Sequence, residues 1–319
     1  MAAIVGGGYE PLAVGGSAHA VGAQSAALSL DCTMPTDFTP DITGRIARLF
    51  IHPIKSCAGT ELREAELTPT GLAWDRSWMV VDDQGMFMTQ REWPRMALIH
   101  PVVGTDTLTL RASGMADLEL PLAAAGRPCE VQVWRDRVQA LDASPEAARW
   151  LSEFLQTPCR LVRFDDTGQR LADADWTQGA AASVRFPDGF PLLVVSQAAL
   201  DELNERLRAA GHAGVGMERF RPNIVIDGFA AHDEDHAELL HVSGGAVALR
   251  PVKPCARCPI PDVDPATAQR GTAVTEQLRA YRQDARVGGG LTFGMNAIIA
   301  AGAGQTLRVG QQVAAQFSF

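Results

Sequence analysis

The chain has no uninterrupted apolar run of about 18 residues, so no membrane span is expected. It also lacks a basic excess. Lys and Arg number 28 against 37 Asp and Glu, a formal charge of −9, which excludes a general nucleic-acid surface. Any anion site must be local, made by a few arginines and lysines that the fold gathers. Cysteine is sparse: Cys32, Cys57, Cys129, Cys159, Cys255 and Cys258 lie far apart for the most part, without the density of a small secreted disulfide scaffold. The first 40 residues contain no Lys or Arg, so the positive start of a secretory signal is missing. Residues 1–42 are rich in Gly, Ala and Ser and read as a disordered tail, with the remainder expected in a reducing cytoplasm. Gly6-Gly7-Gly8 has no strand or helix around it and is not a nucleotide loop. No internal repeat is visible.

What is present reads as an ordinary globular protein, 46% hydrophobic and 20% charged, with 319 residues for one large domain or two smaller ones. Short strands are expected at Arg45 to Ile51, Ala97 to Val103, Thr105 to Arg111, Asp117 to Leu122, Glu130 to Trp134 and Val138 to Leu141. Ser77 to Val81 and Met86 to Gln90 flank the turn signal Asp82-Asp83-Gln84-Gly85 and read as a hairpin. Further strands are expected at Pro191 to Val195, Phe220 to Ile226, Ala246 to Val252 and Thr306 to Val313. Ser144-Pro145 is a helix start leading into Ala147 to Leu155. Ser196 is a plausible N-cap for a second helix, whose stripe Ala199, Leu200, Leu203 and Leu207 ends at Gly211. Asp165 to Gly179 reads as the boundary between two halves. The class is α+β, mostly β, of barrel or sandwich type.

The run Lys253-Pro254-Cys255-Ala256-Arg257-Cys258 carries the most chemistry. Its cysteine pair reads as a redox couple, as half a zinc site, or as a thiolate offered to a soft metal. Zinc needs four ligands, and the chain has no second CxxC. His232, His236 and His241 lie upstream, but Asp233-Glu234-Asp235 between them reads as a solvated loop. A thioredoxin-type pair belongs at a strand-to-helix junction, whereas Pro259, Pro261 and Asp264-Pro265 read as an extended loop. The remaining reading is a soft-metal thiolate, with Arg257 facing an anionic partner. Trp74 and Trp78 read as packing residues, and Cys57 as a small buried hydrophobe.

Several ordered segments carry a resemblance. They are Ile51-His52-Pro53-Ile54-Lys55-Ser56-Cys57-Ala58-Gly59, Gly71 to Val81, Phe87 to Arg91, Arg219 to Val225, Lys253 to Cys258, and Phe293-Gly294 before Val309-Gly310. In order and spacing the chain resembles the MOSC proteins, the molybdenum-cofactor sulfurase C-terminal domain group that includes the amidoxime-reducing components. The resemblance implies a MOSC β-barrel-like core with an N-terminal MOSC-associated β-barrel, placed at residues 171–319 and 43–170. It implies the molybdenum cofactor, whose dithiolene gives two sulfurs to the metal while Cys258 gives another. By motif position the cofactor's donors are Lys55, Ser56, Arg76, Thr89, Arg91, Ser196, Arg219, Arg221, Asn223 and Arg257. Arginine forks suit a phosphate, and Ser196 at a helix start adds a donor. Asp262 or Asp264 is a candidate proton carrier, against the alternative that each fixes its loop through backbone bonds.

The implied activity is reduction of small N-hydroxylated compounds. The chain ends at Phe319 without a cysteine-rich ferredoxin domain, so a separate flavoprotein, ferredoxin or cytochrome is expected to supply electrons. A sulfur carrier with a Cys258 persulfide, or a non-enzymatic cofactor-binding module, is the alternative. Two departures from the family pattern stand out. Ala256 replaces the serine of Cys-Ser-Arg-Cys, and Pro259-Ile260-Pro261 replaces a Thr-bearing stretch.

Overall fold

The computed structural model describes residues 39–123, 126–244 and 246–318. The tail reading for residues 1–42, with Cys32 and the glycine triplet, falls almost wholly outside them. Seven strands close into a barrel. Around the ring they run Leu192–Ser196, Ile224–Asp227, Ile42–Ile51, Gln312–Phe317, Ala237–Val242, Val247–Ala256 and Gly290–Ala301, which pairs back onto Leu192–Ser196. Only the Leu192–Ser196 and Ile224–Asp227 pair is parallel. The strand Ile42–Ile51 comes from the first half of the chain yet sits between two strands of the second, with Arg45 opposite Asp227 and Ile42 opposite Ala315. Closure leaves these seven no free edge.

The barrel interior is aliphatic. Ile46, Leu49, Ile224, Ile226, Leu240, Leu249, Val313 and Ala315 form one buried cluster. The helix Gln197–Ala209 covers the outside, burying Ala199, Leu200, Leu203 and Leu207, and Gly211 follows it at φ +83°. This is the stripe expected from the sequence. The other half builds smaller antiparallel sheets. One runs Trp78–Val81, Arg160–Phe164, Asp136–Asp142, Arg127–Val133; another runs His100–Val103, Thr107–Arg111, Leu118–Pro121. The helix Pro145–Leu155 starts as read, with Ser144 Oγ accepting from Ala147 N at 3.0 Å. Trp78 and Cys57 are buried, and burial pushes the Cys57 thiol up to about 12.

Several expectations change. Pro94–Leu98 is a 3-10 helix rather than the start of a strand, because Pro94 presets its first turn. The hairpin after Trp78–Val81 shrinks to a single bridge between Val81 and Phe87. Thr306 to Val313 splits into Thr306–Arg308 and Gln312–Phe317 around Gly310 at φ +92°.

The largest correction concerns Asp233-Glu234-Asp235, which is not a solvated loop. Glu234 is fully buried and His232 nearly so. Glu234 Oε1 accepts from Ser196 N at 3.1 Å, while Oε2 and both ring nitrogens of His232 make no hydrogen bond among the described residues. Burial raises the Glu234 carboxyl to about 7 and lowers His232 to about 3. A raised carboxyl pKa means the fold holds a proton that the unfolded chain has released. Its contribution is complete below about 4.5 and is lost as pH rises through 7. Glu234→Gln removes that loss. The variant should gain on wild type by up to about 3 kcal/mol between pH 4.5 and 8, read as unfolding midpoints in urea. Parallel midpoint curves for the two proteins would refute it.

Gly294 explains its own place in the sequence. It adopts φ +77°, and an added Cβ would lie 2.6 Å from Val195 Cγ2 and 2.7 Å from Val194 O on the neighbouring strand. Gly294→Ala combines left-handed strain with a backbone clash at the barrel closure. It should cost roughly 2 kcal/mol or more. A change in unfolding midpoint within error would contradict this.

Candidate active site

Three register shifts between Val247–Ala256 and Gly290–Ala301 bend the Lys253 strand out of regular pairing just before Cys258. The bend delivers Cys255, Ala256, Arg257 and Cys258 to the wall of a cavity of about 120 Å3. Segments far apart in sequence form the other walls: Lys55-Ser56, Arg76, Thr89 with Arg91, Trp134, Asp188, and Arg221 with Asn223. Five cations and one carboxylate line this space, in a chain of net charge −9. The fold thus gathers cations locally, the form that any anion site in so acidic a chain must take.

The charges are individually held. Lys55 Nζ donates to Phe186 O at 2.9 Å and pairs with Asp188 at 2.5 Å. Arg76 donates to Asp75 Oδ2 at 2.6 Å, to Asn223 Oδ1 at 3.2 Å and to Arg221 O at 2.9 Å. Arg257 donates to Cys255 Sγ at 2.9 Å and to Phe220 O at 2.8 Å. Arg221 donates to Cys57 O. Two donors are left over: Arg221 Nη2 and Arg257 Nε are buried and make no hydrogen bond among the described residues. A buried guanidinium N–H without a partner is costly, so these atoms mark where an anion belongs. The potential shows in the neighbours. Burial, then the charge of Arg76, lowers Arg221 to about 10. Burial, then Arg221 and Arg76, pushes the buried His52 well below its ordinary value. Burial also lowers Lys55, which Asp188 partly offsets.

Backbone strain concentrates here. Nine described non-glycine residues have φ in the left-handed region, and four of them, Ser56, Arg76, Trp134 and Arg221, line this one cavity. Such strain costs of order 1 kcal/mol or more each and persists where the surroundings hold it.

Not every expected donor arrives. Ser196 does not line the cavity. Its Oγ accepts from His232 N at 3.2 Å, inside the buried polar cluster behind the barrel wall. Arg219 turns to Pro261 O at 3.2 Å and Asp264 Oδ2 at 2.8 Å, so it braces the loop after Cys258 instead of lining the space. Asp262 accepts from Val274 N at 2.9 Å and from the Thr275 backbone and hydroxyl, which anchors the helix Ala273–Tyr281. Asp264 accepts from Ala266 N at 2.9 Å and Thr267 N at 3.0 Å. Both carboxylates fix the loop, and neither is placed to carry a proton to the cavity. Asn223 lines it but spends its amide on Leu193 N, Arg76 and Phe50 O, so it ties strands together. Thr89 donates to Glu92 at 2.6 Å and accepts from Arg91 Nε at 3.3 Å, orienting Arg91. The histidines near Asp233 gather no metal set: among the described residues no group of three or more His, Cys, Asp or Glu is placed to hold an ion.

Other residues were not legible beforehand. Asp188 accepts from Lys55 and, at 3.0 Å, from Trp134 Nε1. Arg170, in the stretch read as a boundary, is buried and donates to Arg185 O, Pro187 O and Asp188 O, so it holds the Asp188 loop in place. The only advance signal was an arginine in a glycine-containing stretch, which points nowhere by itself.

Family comparisons agree with this geometry. Residues 43–158 match the MOSC N-terminal beta barrel domain, and residues 181–314 match the MOSC domain. The chain belongs to the MOSC family. Its relatives include mitochondrial amidoxime-reducing component 1 of Mus musculus, 36% identical over 252 residues, covering 75% of this chain and 72% of that protein. The human amidoxime-reducing component 1 is also 36% identical, over 256 residues with the same coverage. Human molybdenum cofactor sulfurase is 30% identical over 255 residues, covering 75% of this chain but 28% of its own. In this MOSC protein the cavity's donor set fits an anionic, thiophilic cofactor: two unpaired guanidinium donors, three further cations and a half-buried thiol at Cys258. At about 120 Å3 the cavity falls below the roughly 300 to 1,000 Å3 usual for ligand pockets; a groove of about 1120 Å3 lies beside it, with Arg91, Trp134 and Cys255 among the residues lining both.

Proposed function

We propose that this MOSC protein binds the molybdenum cofactor and reduces small N-hydroxylated compounds with electrons from a separate redox protein, in the cytoplasm. The observation that carries the reading is the pair of unpartnered buried donors, Arg221 Nη2 and Arg257 Nε, beside a cysteine in a cavity with four more cations than carboxylates (five less one). Arg221, Arg257, Arg76 and Lys55 would hold the cofactor's anionic groups, and Cys258 would ligate its metal. When bound, the cofactor supplies the two-electron chemistry. In the net reaction the N–O bond breaks with the uptake of two electrons from the partner and two protons: one proton joins the hydroxyl, which leaves as water, and the other ends on the reduced nitrogen. The protein's residues bind, orient and exclude water. Lys55, buried, pairs at the cavity wall with the exposed Asp188.

The test is purification from a host that makes the cofactor, followed by metal and pterin analysis and assay with a chemical electron donor. Near-stoichiometric molybdenum and conversion of an amidoxime to the amidine support the reading. The 30% identity to a molybdenum cofactor sulfurase supports one rival, a sulfur carrier. A persulfide on Cys258 without molybdenum would establish that rival instead.

A further inference from the structure

Among the described residues, eight buried side-chain polar atoms lack a hydrogen-bond partner. The cavity accounts for Arg221 Nη2 and Arg257 Nε. Five others belong to one cluster that the proposed chemistry does not use: Glu234 Oε2, Asp235 Oδ1, both ring nitrogens of His232, and Tyr281 Oη, whose ring lies 5.9 Å from that of His232. His232 also holds φ +69°. A turn that is strained and leaves buried polar atoms unsatisfied is costly to keep closed. Its charges are otherwise balanced. Asp235 pairs with Arg282 at 2.6 Å, Glu202 with Arg206 at 2.6 Å, and Asp284 with Arg286 at 2.7 Å. Asp233 accepts from Ala230 N at 2.8 Å, and His236 is exposed. Burial, then Arg282, lowers His232 to about 3; burial, then Glu202, raises Tyr281 to about 12, so both stay uncharged near neutral pH. The cluster is neutral while Glu234 carries a proton. Without that proton it holds an unpaired buried anion beside Asp235.

One strand segment joins this turn to the cavity. Arg282 links Asp235 to Thr292, donating to its carbonyl at 3.2 Å. Thr292 pairs with Ala256, and Leu291 O accepts from Arg257 N at 2.7 Å. The Phe293 ring meets His232 edge-on at 5.7 Å and stacks on Phe220 at 3.9 Å. Phe220 O in turn accepts from Arg257 Nη2 at 2.8 Å. Leu291 to Phe293 are therefore braced by the turn, and they fix both the backbone and the guanidinium of Arg257.

We propose that the turn His232 to Asp235 is a proton-gated latch on the cavity: with Glu234 protonated it braces Leu291 to Phe293 and keeps Arg257 aimed at the bound anion, and loss of that proton opens the turn and weakens anion binding. The inference rests on the anion-binding reading of the cavity. Proton and anion then favour each other's binding, so affinity falls as pH rises.

The experiment uses the full-length, cofactor-free chain as wild type, Glu234→Gln and Arg221→Met. Glutamine keeps the shape and neutrality of the protonated carboxyl. Each protein is titrated calorimetrically with sulfate, whose charge is constant between about pH 6 and 8.5. Over that range wild type should lose about fivefold more sulfate affinity than Glu234→Gln. Arg221→Met, which locates the ion, should bind at least about tenfold more weakly at the low end. Hydrogen exchange reads the latch without a ligand. At about pH 8.5 the Ser196 and Arg257 amides should exchange at least about fivefold faster in wild type than in Glu234→Gln, while amides of the sheet around Thr107–Arg111 differ by less than about twofold. Equal sulfate profiles in wild type and Glu234→Gln, or equal exchange of the two amides, overturn the latch. A uniform change in exchange along the chain also overturns it, since the proton would then act on global stability alone. Sulfate binding to Arg221→Met at wild-type strength, or to none of the three, overturns the anion reading of the cavity instead, and the exchange ratio alone then upholds or overturns the opening of the turn.

Discussion

Cys258→Ala should abolish the proposed turnover of N-hydroxylated compounds, with a fall of more than about 100-fold even when electrons come from a chemical donor. The scale follows from metal sites in general: losing a residue that merely orients a ligand costs 10- to 100-fold, and losing the ligand costs more. Cys258 is half-buried in a cavity lined by five cations, beside the donors that would hold the cofactor's anionic groups. Cys255 is not equivalent. Its sulfur already accepts from Arg257 Nη1 at 2.9 Å, so it positions that arginine. Cys255→Ala leaves Arg257 its bond to Phe220 O and should retain activity within about tenfold. The check is kcat/KM with molybdenum content for both variants. Equal activity of Cys258→Ala and wild type would remove Cys258 from the mechanism.

Arg221→Met is expected to strip the protein of its cofactor. Truncating one member of a buried charge-assisted pair costs about 2 to 5 kcal/mol, or roughly 30-fold to several thousand-fold in affinity. The opposite sign is expected in cofactor-free protein. There Arg221 is a buried cation crowded by Arg76, with Nη2 unpaired, and its pKa is lowered to about 10. Replacing it with a neutral side chain of similar length relieves that repulsion, so the apo variant should unfold at an equal or higher temperature. Phosphate adds a second reading. It should raise the melting temperature of apo wild type, because it binds only the folded cavity, and should raise that of Arg221→Met much less. Molybdenum retained at the wild-type level in Arg221→Met would contradict the assignment.

The elements legible in the sequence were those set by local rules. Ser144 with Pro145 started a helix, and the apolar stripe of Gln197–Ala209 faced the core, because capping and periodicity act within a few residues. The barrel was harder to read. Gly290–Ala301 carries Gly294 and Asn296 within it and gives no clean alternation, and Ala237–Val242 has polar Glu238 and His241 among its apolar residues. Both are strands because their neighbours across the ring supply hydrogen bonds, a condition absent from any local window. The site divides in the same way. Lys55, Arg76, Arg221, Arg257 and Cys258, which line one cavity, were singled out because their short segments resemble a family pattern. Asp188, Trp134 and Arg170 lie outside those segments and meet the site only through contacts spanning tens of residues or more than a hundred. The errors run the other way. Asp233-Glu234-Asp235 looked solvated because charge usually is, yet closure of the barrel buried Glu234. Arg219 was singled out by its place in a family segment, and Asp262 and Asp264 by their place just after Cys258, yet all three spend polar atoms on holding its loop.

The central claim is that Cys258 supplies sulfur to a molybdenum held in the arginine-lined cavity. Molybdenum-edge X-ray absorption on wild type and Cys258→Ala, both loaded in a cofactor-making host, tests it most directly. The account predicts two dithiolene sulfurs plus one more in wild type, and the loss of that one in Cys258→Ala. The same sulfur count in both proteins, or no molybdenum in wild type, would contradict it.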